Sequence, residues 1–320
     1  MAEDVPVTSM RSGTPLPEIP HGRTARRLEW VHLPPLVRRE VERRLGSAVV
    51  AAESQDAGYS PAMASVLTCA DGSRHFVKAA STKAQRMFAT AYREEARKLK
   101  TLGGWVPAPR LRWSDEAYDW VLLCFEYVEG RAPARPWTAP DLAAASRLLL
   151  EAAGTLTHPP GTGWTTFADD HAPFVAYWEK LGHLPHAEEA ATLAAGFAEQ
   201  TTGETLVHLD VRDDNLLIRP DGSVLLCDWN WPVLGAPWLD SLILLIGPRG
   251  DGLDVERHLA THPLLGEVAP EAIDSVLALL AGYFLKSAAD PVPTFSPYVR
   301  DVQRWQGEVC LDWLSERRGW

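Results

Sequence analysis

The sequence predicts an α+β protein of two lobes: a small first lobe with an antiparallel sheet and a helix, and a larger, mainly helical second lobe. Three observations support this prediction. Strand-like apolar runs surround a single helical segment in the first third of the chain. After Gly130 the long segments show helical periodicity instead. The length of 320 residues is sufficient for two lobes that share a cleft.

The first lobe is predicted to contain two helices and several strands. Residues 29–47 are expected to form a helix that ends at Gly46, and its apolar face consists of Leu36, Val37, Val41 and Leu45. Residues 81–104 form the second helix, with apolar residues at helical spacing before a glycine stop. Strands are predicted in 48–58, in 63–80 with a hairpin turn at Asp71 and Gly72, and in 119–130.

The second lobe is predicted to be helical around a short group of strands. The segment 138–158 has a Thr or Asp cap at its start, and 187–200 is of the same type. Strands are expected near Leu216 and Val224, and long helices follow from 272 onward. The predicted organisation is therefore a flexible arm at 1–27, a first lobe at 28–125, a connection at 126–130 and a second lobe at 131–320.

Composition restricts the possible partners and the compartment. The formal net charge of −11 argues against nucleic acid or an anionic membrane as a partner of the whole surface. The chain has no apolar run of about 18 residues and no apolar core of a secretory signal near its start, so a cytoplasmic location is expected. The four cysteines are far apart among apolar neighbours, which indicates buried thiols. The composition does not indicate an oligomeric state.

A polar run between two apolar segments carries the candidate chemistry. "LVHLDVRDDNLLIRPDGSVLLCDWNW" spans 206–231 and contains H-x-D-x-x-x-x-N at His208, Asp210 and Asn215, with Asp228 at the end of a short apolar strand. Such crowded carboxylates repel one another, so a cation is expected among them. In kinase-type phosphoryl transfer a loop Asp accepts the proton of the attacking hydroxyl, while a loop Asn and a second Asp hold magnesium.

This run resembles the catalytic segment of the aminoglycoside phosphotransferase family, small-molecule kinases with the protein-kinase fold. "HLDVRDDNLLI" is similar to the family's catalytic loop, and "LLCDW" is similar to its D-W signature, where protein kinases have D-F-G. The resemblance implies that Asp210 is the catalytic base and that Asn215 and Asp228 are magnesium ligands. Arg212 stands where protein kinases place a lysine that helps neutralise the transferred phosphate; the alternative is a surface arginine.

The other parts of the family's nucleotide site occur in the required order. Lys78 in "HFVKAA" resembles the lysine that contacts the α and β phosphates of ATP, and Glu95 resembles its helix partner; an exposed lysine and a solvated helix face are the alternatives. Gly58 and Ser60 stand where the nucleotide loop is expected, although the loop lacks GxGxxG. The resemblance implies that adenine binds to a hinge with the backbone of Glu126, Tyr127 and Val128.

Several nearby residues are predicted to have supporting roles. Asp240 resembles the family's aspartate that braces the catalytic loop, and His208 is expected to support the loop backbone. Asp213 and Asp214 are expected to be solvated loop residues or caps. A group of tryptophans in the second lobe is expected mostly in the core, with stacking on an acceptor as the alternative: Trp164, Trp178, Trp229, Trp231 and Trp238.

The resemblance implies a kinase that uses ATP or GTP with Mg²⁺ to phosphorylate a hydroxyl of a small molecule. An aminoglycoside, another antibiotic or a secondary metabolite is one class of acceptor. A second reading is a sugar, choline or homoserine-type kinase of primary metabolism. A third is a regulatory kinase-fold protein that binds a nucleotide without catalysis, although every expected catalytic position is filled.

Overall fold

A five-stranded antiparallel sheet and two helices form the first part of the molecule. The structure is a computed structural model that describes residues 19–320. The strands are β1 Val49–Ser54, β2 Met63–Cys69, β3 Arg74–Ser81, β4 Leu111–Ala117 and β5 Trp120–Glu126, and the helices are α1 Pro35–Leu45 and α2 Arg86–Leu102. The strand order is β1-β2-β3-β5-β4, so β3 and β5 lie inside the sheet.

The alternation of side chains along β5 explains why helices pack on both sheet faces. Successive side chains of a strand point to opposite faces. Leu123 belongs to the core that contains α2, whereas Leu122 and Cys124 belong to the core that contains α1. Lys78 of β3 is the register partner of Leu123 and therefore lies on the α2 face of the sheet.

Helix α1 starts later than the sequence predicted. The chain makes a short 3-10 turn at Trp30–His32, and the α-helix begins at Pro35 because a proline fits the first helical turn, where its missing N–H is not needed. Gly46 ends the helix in a left-handed conformation, as predicted. Leu36, expected on the apolar face, is 48% exposed, whereas Val37 and Val41 are buried. Each residue of an α-helix is rotated by about 100° from the one before it, so Leu36 lies about 100° from Val37 and about 140° from Val41, outside the buried face.

The second part of the molecule is mainly helical. Its α-helices are α3 Ala139–Thr155, α4 Phe167–His171, α5 Ala187–Ala195, α6 Phe197–Gln200, α7 Leu239–Leu244, α8 Ile246–Gly250, α9 Val255–Thr261, α10 Pro270–Ala288 and α11 Val299–Arg318. Two short antiparallel pairs join β6 Thr205–Val207 to β9 Val233–Gly235 and β7 Leu216–Ile218 to β8 Val224–Leu226. A 3-10 segment, Ala172–Lys180, connects α4 to the turn before α5.

Helix α10 is the centre of the helical part. It packs against α11, α5 and the 3-10 segment, and most of its residues are buried, as expected for a helix that is apolar nearly all round. The predicted cap of α3 is Thr138, whose side chain accepts a hydrogen bond from Asp141 N. The predicted helix at 187–200 is divided between α5 and α6 at Gly196.

The predicted flexible arm is only partly within the described residues. Positions 1–18 lie outside them. Residues 19–27 form no helix or strand, yet Thr24 is buried and its backbone N–H donates to Asp56 O at 3.0 Å. Residues 19–27 are thus hydrogen-bonded to another loop although they lack regular structure, and the flexibility of the arm stays a prediction. Within 19–320 no helix is both long and apolar enough to cross a membrane.

Candidate active site

The predicted catalytic loop, 208–215, which is called the catalytic loop below, lies between β6 and β7, and a hairpin returns the chain to Asp228. Gly222 adopts φ +80° in the turn between β7 and β8, where a left-handed glycine has no steric penalty. Cys227 N donates to Asn215 O at 2.8 Å, so the residue before Asp228 is hydrogen-bonded to the end of the loop. Because the hairpin is short and this bond closes it, Asp228 lies close to the end of the loop at Asn215.

Asp240 and His208 fix the backbone of the catalytic loop. The carboxylate of Asp240, in the first turn of α7, accepts hydrogen bonds from His208 N at 2.7 Å and Leu209 N at 2.8 Å. Leu209 has φ +67°, a strained conformation for a leucine that these two bonds help to hold. The buried His208 ring contacts Cys227 O at 2.9 Å through Nε2 and accepts from Asp210 N at 3.2 Å. Both residues have the supporting contacts that the sequence predicted.

The two oxygens of Asp210 are oriented by neighbours on the same loop. Arg212 Nη1 donates to Oδ1 at 2.5 Å, and Asn215 Nδ2 donates to Oδ2 at 2.9 Å. A carboxylate oxygen has more than one lone pair, so each oxygen can still accept the hydrogen of a substrate hydroxyl. Burial raises the pKa of Asp210, and the charge of Arg212 opposes that rise. Asp210 is therefore a buried, oriented carboxylate, and its role as a base remains a prediction.

Arginines supply the cations that the crowded carboxylates required. Arg212 also binds Asp214 through two parallel bonds, Nε to Oδ1 at 2.9 Å and Nη2 to Oδ2 at 3.0 Å. Arg135 binds Asp213 in the same two-point manner, at 2.9 and 3.1 Å. Asp213 and Asp214 are therefore partners of arginines rather than solvated residues or caps, contrary to the prediction. The contact of Arg212 with a phosphate remains a prediction.

Lys78 connects the sheet to both α2 and the residue after β8. Its Nζ donates to both carboxylate oxygens of Glu95, at 2.8 and 2.9 Å, and to Asp228 Oδ1 at 2.6 Å. Burial would lower the pKa of Lys78, but the charges of Asp228 and Glu95 raise it well above its usual value. Burial raises the pKa of Glu95 to about 7, and the Lys78 charge opposes the rise. The predicted ion pair of Lys78 and Glu95 is present, and Lys78 also binds Asp228.

The proposed metal ligands have the donor atoms that magnesium prefers. Mg²⁺ is usually bound by one or two protein oxygens together with phosphates and water. Asn215 uses its Nδ2 for hydrogen bonds, and within 19–320 its Oδ1 has no hydrogen-bond donor, while Lys78 and Asn230 both donate to Asp228 Oδ1 and none donates to Oδ2. One amide oxygen and one carboxylate oxygen thus remain for a cation. The residues present fit the predicted ion.

The predicted nucleotide loop precedes β2 and is folded tightly. Gly58 has φ +86°, which favours glycine, and Ser60 Oγ accepts a hydrogen bond from Ala62 N at 3.2 Å, which leaves its hydroxyl hydrogen for another acceptor. These two residues remain predicted phosphate contacts. Thr24 and Arg27 donate to carbonyl oxygens of this loop, and no periodicity or motif in the sequence predicts these contacts.

The segment predicted to bind adenine follows the end of β5. The backbone N–H of Glu126 donates to Arg110 O at 2.9 Å, so it is not available to a base. The ring of Tyr127 stacks under the Arg74 guanidinium at 3.9 Å. Gly130 then passes so close to β7 that a Cβ there would stand 2.8 Å from Ile218 O. Contacts of adenine with the backbone of Tyr127 and Val128 remain predictions. At Glu126 only the backbone carbonyl oxygen is left for the predicted contact, because its N–H is already bonded.

A cavity of about 460 Å³ lies next to the catalytic loop. Small-molecule sites commonly have volumes in this range. The cavity is lined by the catalytic loop, α7, α11 and the segment before α3, with Tyr59, Trp137 and Trp305 among its walls. Of the five tryptophans considered for stacking, Trp178, Trp229 and Trp238 are buried in the core and Trp164 is partly buried. Trp231 is 62% exposed, with Lys98 Nζ 5.9 Å from its ring centre.

The match to a known family agrees with this arrangement. The model of the APH family, described as a phosphotransferase enzyme family, matches residues 54–272, which is more than half of the chain. The chain belongs to this phosphotransferase family. Membership confirms the resemblance inferred from the catalytic loop and the D-W pair, and it confirms the prediction of a phosphotransferase enzyme. No curated protein sequence matches the chain.

Solved structures confirm the predicted two-lobed, protein-kinase-like α+β fold of this APH chain. A thermostable mutant of aminoglycoside phosphotransferase APH(4)-Ia, in a ternary complex with ADP and hygromycin B, aligns with a TM-score of 0.61 at 13% identity and covers 88% of this chain and 98% of that one. Choline kinase LicA from Streptococcus pneumoniae aligns with 0.59 at 13%, covering 87% and 99%. Macrolide 2'-phosphotransferase type I gives 0.54 at 15%, covering 82% and 94%.

Proposed function

We propose that the chain is an ATP- and Mg²⁺-dependent O-phosphotransferase that transfers the γ-phosphoryl group to a hydroxyl of a small molecule. One observation carries the proposal: Lys78, held by Glu95, meets Asp228 at 2.6 Å, and the short return through Cys227 joins Asp228 to the loop that presents Asp210 and Asn215. In this arrangement a phosphate-binding cation, two metal ligands and a base belong to one cleft. Similar structures bind ADP together with a hydroxylated antibiotic, which supports a nucleotide and a small acceptor here.

In the proposed reaction the acceptor oxygen forms a bond to the γ-phosphorus as the bond between that phosphorus and the β–γ bridging oxygen breaks. Asp210 orients the hydroxyl and accepts its proton, and ADP leaves. Bound Mg²⁺, held by Asn215 and Asp228, would neutralise phosphate charge. Lys78 positions the phosphates, and Arg212 keeps Asp210 oriented. Positioning and charge neutralisation contribute most of the acceleration, and the base contributes a smaller part.

We place the acceptor near the cavity beside the catalytic loop. Its lining includes the carboxylates of Asp213, Asp214 and Asp251 together with the aromatic rings of Tyr59 and Trp305. Arg135 and Arg212 also line the cavity and bind Asp213 and Asp214, so the aromatic rings are the main groups left for a cation. Rings suit a hydroxylated acceptor that also carries amino groups, so aminoglycosides and other hydroxylated antibiotics form the first class to test. Sugars, choline and homoserine-type alcohols of primary metabolism form the second class.

The test is a screen of hydroxylated antibiotics, sugars and amino alcohols with Mg-ATP, read by mass spectrometry for a gain of one phosphoryl group and by release of ADP. Replacement of Asp210 by Ala is expected to reduce turnover about 100-fold or more, since it removes the base and the orienting acceptor. Affinity for Mg-ATP should change little. Asp221→Ala, an exposed turn aspartate on the same segment, is the matched control. Equal turnover of Asp210→Ala and the wild type would refute the assignment of the base.

A further inference from the structure

Residues 19–28 form a segment outside the sheet that we call the strap. The strap has no helix or strand and lies against the nucleotide loop, 56–62. The first residues of the strap, Ile19 to Gly22, line the cavity beside the catalytic loop. Its last residue, Leu28, packs against the core that holds α1. The strap therefore extends from the acceptor cavity to the core of the first lobe, past the nucleotide loop.

Backbone hydrogen bonds attach the strap to both ends of the nucleotide loop. Thr24 N and Ala25 N each donate to Asp56 O at 3.0 Å, and Leu28 N donates to Pro61 O at 3.0 Å. These contacts fix the beginning and the end of the loop at a constant distance from the strap. A short loop whose ends are fixed loses much of its conformational freedom before any ligand binds.

Two strap side chains bind the middle of the same loop. Thr24 Oγ1 donates to Gly58 O at 2.7 Å. The Arg27 guanidinium donates to Ala57 O at 2.7 Å through Nη2 and to the carbonyl of Ala62 at 3.2 Å through Nη1. Strap donors thus engage five carbonyl oxygens of the loop, those of Asp56, Ala57, Gly58, Pro61 and Ala62.

The Arg27 guanidinium lies at the point where the nucleotide loop meets the catalytic loop. A Cβ on Gly58 would stand 3.1 Å from Arg27 Nη2 and 3.6 Å from Asp214 Oδ2, so both groups lie close to the same side of Gly58. Burial raises the pKa of Tyr92, and the charges of Lys78 and Arg27 both oppose the rise. Lys78 Nζ lies 5.4 Å from the Tyr92 ring centre. Arg27 is therefore a second cation on the phosphate side of the cleft.

The bonds between the strap and the loop carbonyls make the loop more favourable for an anionic ligand. Carbonyl oxygens repel phosphate oxygens, whereas backbone N–H groups and cations attract them. Bonds to the strap keep five carbonyls engaged, while none of these bonds uses the N–H groups of Ala57, Gly58 and Tyr59, which stay available to the ligand. Charge-assisted bonds such as those of Arg27 are stronger than neutral ones, so Arg27 is the strongest single attachment of the loop.

We propose that Thr24 and Arg27 are positioning residues of the nucleotide site: the strap holds loop 56–62 in its phosphate-binding conformation, and Arg27 adds positive charge beside it. This inference rests on the proposed function, because it requires that the cleft binds a nucleoside triphosphate. It gives a role to part of a segment whose sequence predicted only a flexible arm.

The test compares Mg-ATP and adenosine binding in full-length variants by isothermal titration calorimetry. Arg27→Met removes the charge and both bonds, and Arg27→Lys keeps the charge but loses the two-point contact. Thr24→Val removes the hydroxyl donor at similar volume. Arg23→Met is the matched control, since Arg23 is an exposed arginine of the strap. Thermal unfolding of each variant identifies any that fail to fold.

We expect Arg27→Met to weaken Mg-ATP binding about tenfold, because it removes the charge and both hydrogen bonds to the loop. The affinity of Arg27→Lys should fall between those of Arg27→Met and the wild type, because the charge remains. Thr24→Val should weaken Mg-ATP binding severalfold. Adenosine affinity should stay within about twofold in all variants, since adenosine has no phosphate.

Equal Mg-ATP affinity of Arg27→Met and Arg23→Met would overturn the inference. So would a parallel loss of adenosine affinity, which would indicate general distortion of the fold. A wild type that binds adenosine but not Mg-ATP, or neither, would contradict the proposed function itself.

Discussion

Arg212 illustrates how one residue makes a crowded acidic loop stable. Its planar guanidinium contacts two carboxylates at once, Asp210 through one nitrogen and Asp214 through two parallel bonds. A lysine carries the same charge on a single nitrogen and cannot reproduce this fork. The residue type therefore matters as much as the charge, and the loop geometry depends on it.

Replacement of Arg212 by Lys is expected to reduce kcat about tenfold, because the charge remains but the two-point contact that orients the loop is lost. Arg212→Met should reduce it further, since Asp210 and Asp214 then repel each other without a cation between them. ADP release at saturating acceptor measures the effect. Arg110→Lys, at an exposed position before β4, is the control. Unchanged kcat in Arg212→Lys would show that charge alone suffices.

The lowered pKa of the buried His171 predicts that the stability of the fold depends on pH. Burial lowers its pKa to about 4, and the nearby Asp170 only partly opposes this. An unfolded histidine titrates near 6.5, so between these values the unfolded chain binds the proton more tightly and stability falls as the pH falls. We expect a contribution of about 2 kcal/mol to be lost between pH 7.5 and pH 5.

Urea unfolding of the wild type and His171→Phe at these two pH values tests this contribution. Phenylalanine fits because the His171 ring already lies 4.2 Å from the Phe167 ring and 5.0 Å from the Phe174 ring, measured between centroids. The variant should lose about 2 kcal/mol less than the wild type on acidification. His32→Phe, at an exposed position, should behave like the wild type. The same pH dependence in His171→Phe and the wild type would contradict the assignment.

The buried pair between β3 and α2 joins two elements of the first lobe. Glu95 is 1% exposed and Lys78 8%, so neither charge is hydrated as it would be at the surface. Removal of one partner leaves an uncompensated buried charge, whereas removal of both leaves an apolar contact. The pair is therefore better suited to hold Lys78 in place than to stabilise the fold.

Replacement of Lys78 by Met is expected to lower the free energy of unfolding by about 3 kcal/mol, because Glu95 and Asp228 lose their shared cation. The double variant Lys78→Met with Glu95→Met should recover the part of that loss that comes from Glu95, while Asp228 still lacks its cation. Urea unfolding of the wild type, both single variants and the double variant gives the coupling energy between the two positions. Additive losses would show that the two side chains act independently. All variants that lack Lys78 should lose activity.

Short elements determine the geometry of the catalytic loop. The strand pairs β6–β9 and β7–β8 contain three residues per strand, yet they determine where the loop starts and where Asp228 returns. Helix α7 contributes Asp240 in its first turn to the backbone N–H groups of His208 and Leu209. A left-handed Leu209 is tolerated because the surrounding elements specify the loop conformation.

At the scale of the molecule, the proposed nucleotide and metal ligands come from both parts of the chain, so a bound nucleotide should stabilise the whole. A ligand at a hundredfold excess over its Kd adds about 2.7 kcal/mol. We therefore expect Mg-ATP to raise Tm by several degrees. EDTA should remove most of the shift, and Asn215→Ala should reduce the part that depends on magnesium. Differential scanning calorimetry at fixed nucleotide concentration measures it. An ATP-induced shift that is unaffected by EDTA would contradict the metal assignment.

Sequence patterns predicted the local features well where residue spacing has one structural meaning. The two helices of the first lobe, the hairpin turn at Asp71 and Gly72 and the predicted catalytic loop follow from periodicity, glycine positions and the spacing of Asp210 and Asn215. Leu36 was wrongly predicted on the apolar face, because the helical rotation of about 100° per residue places it away from the buried Val37 and Val41. An apolar residue next to the buried face of a helix is not necessarily part of that face.

The sequence by itself determined the chemistry available to this protein: a base, two oxygen ligands for a cation, a lysine and a glutamate in the order of a kinase, because these are side-chain identities at short spacings. Only the tertiary structure decided the further partners beyond the predicted pair of Lys78 and Glu95. Lys78 meets Asp228 across 150 positions, and Arg27 meets the loop 30 to 35 positions away, with no periodic pattern that encodes either contact. The physical reason is that pairing between residues so far apart in the chain depends on how the elements of the two lobes pack. This packing is the sum of many weak contacts, and the spacing of residues in the sequence does not predict it.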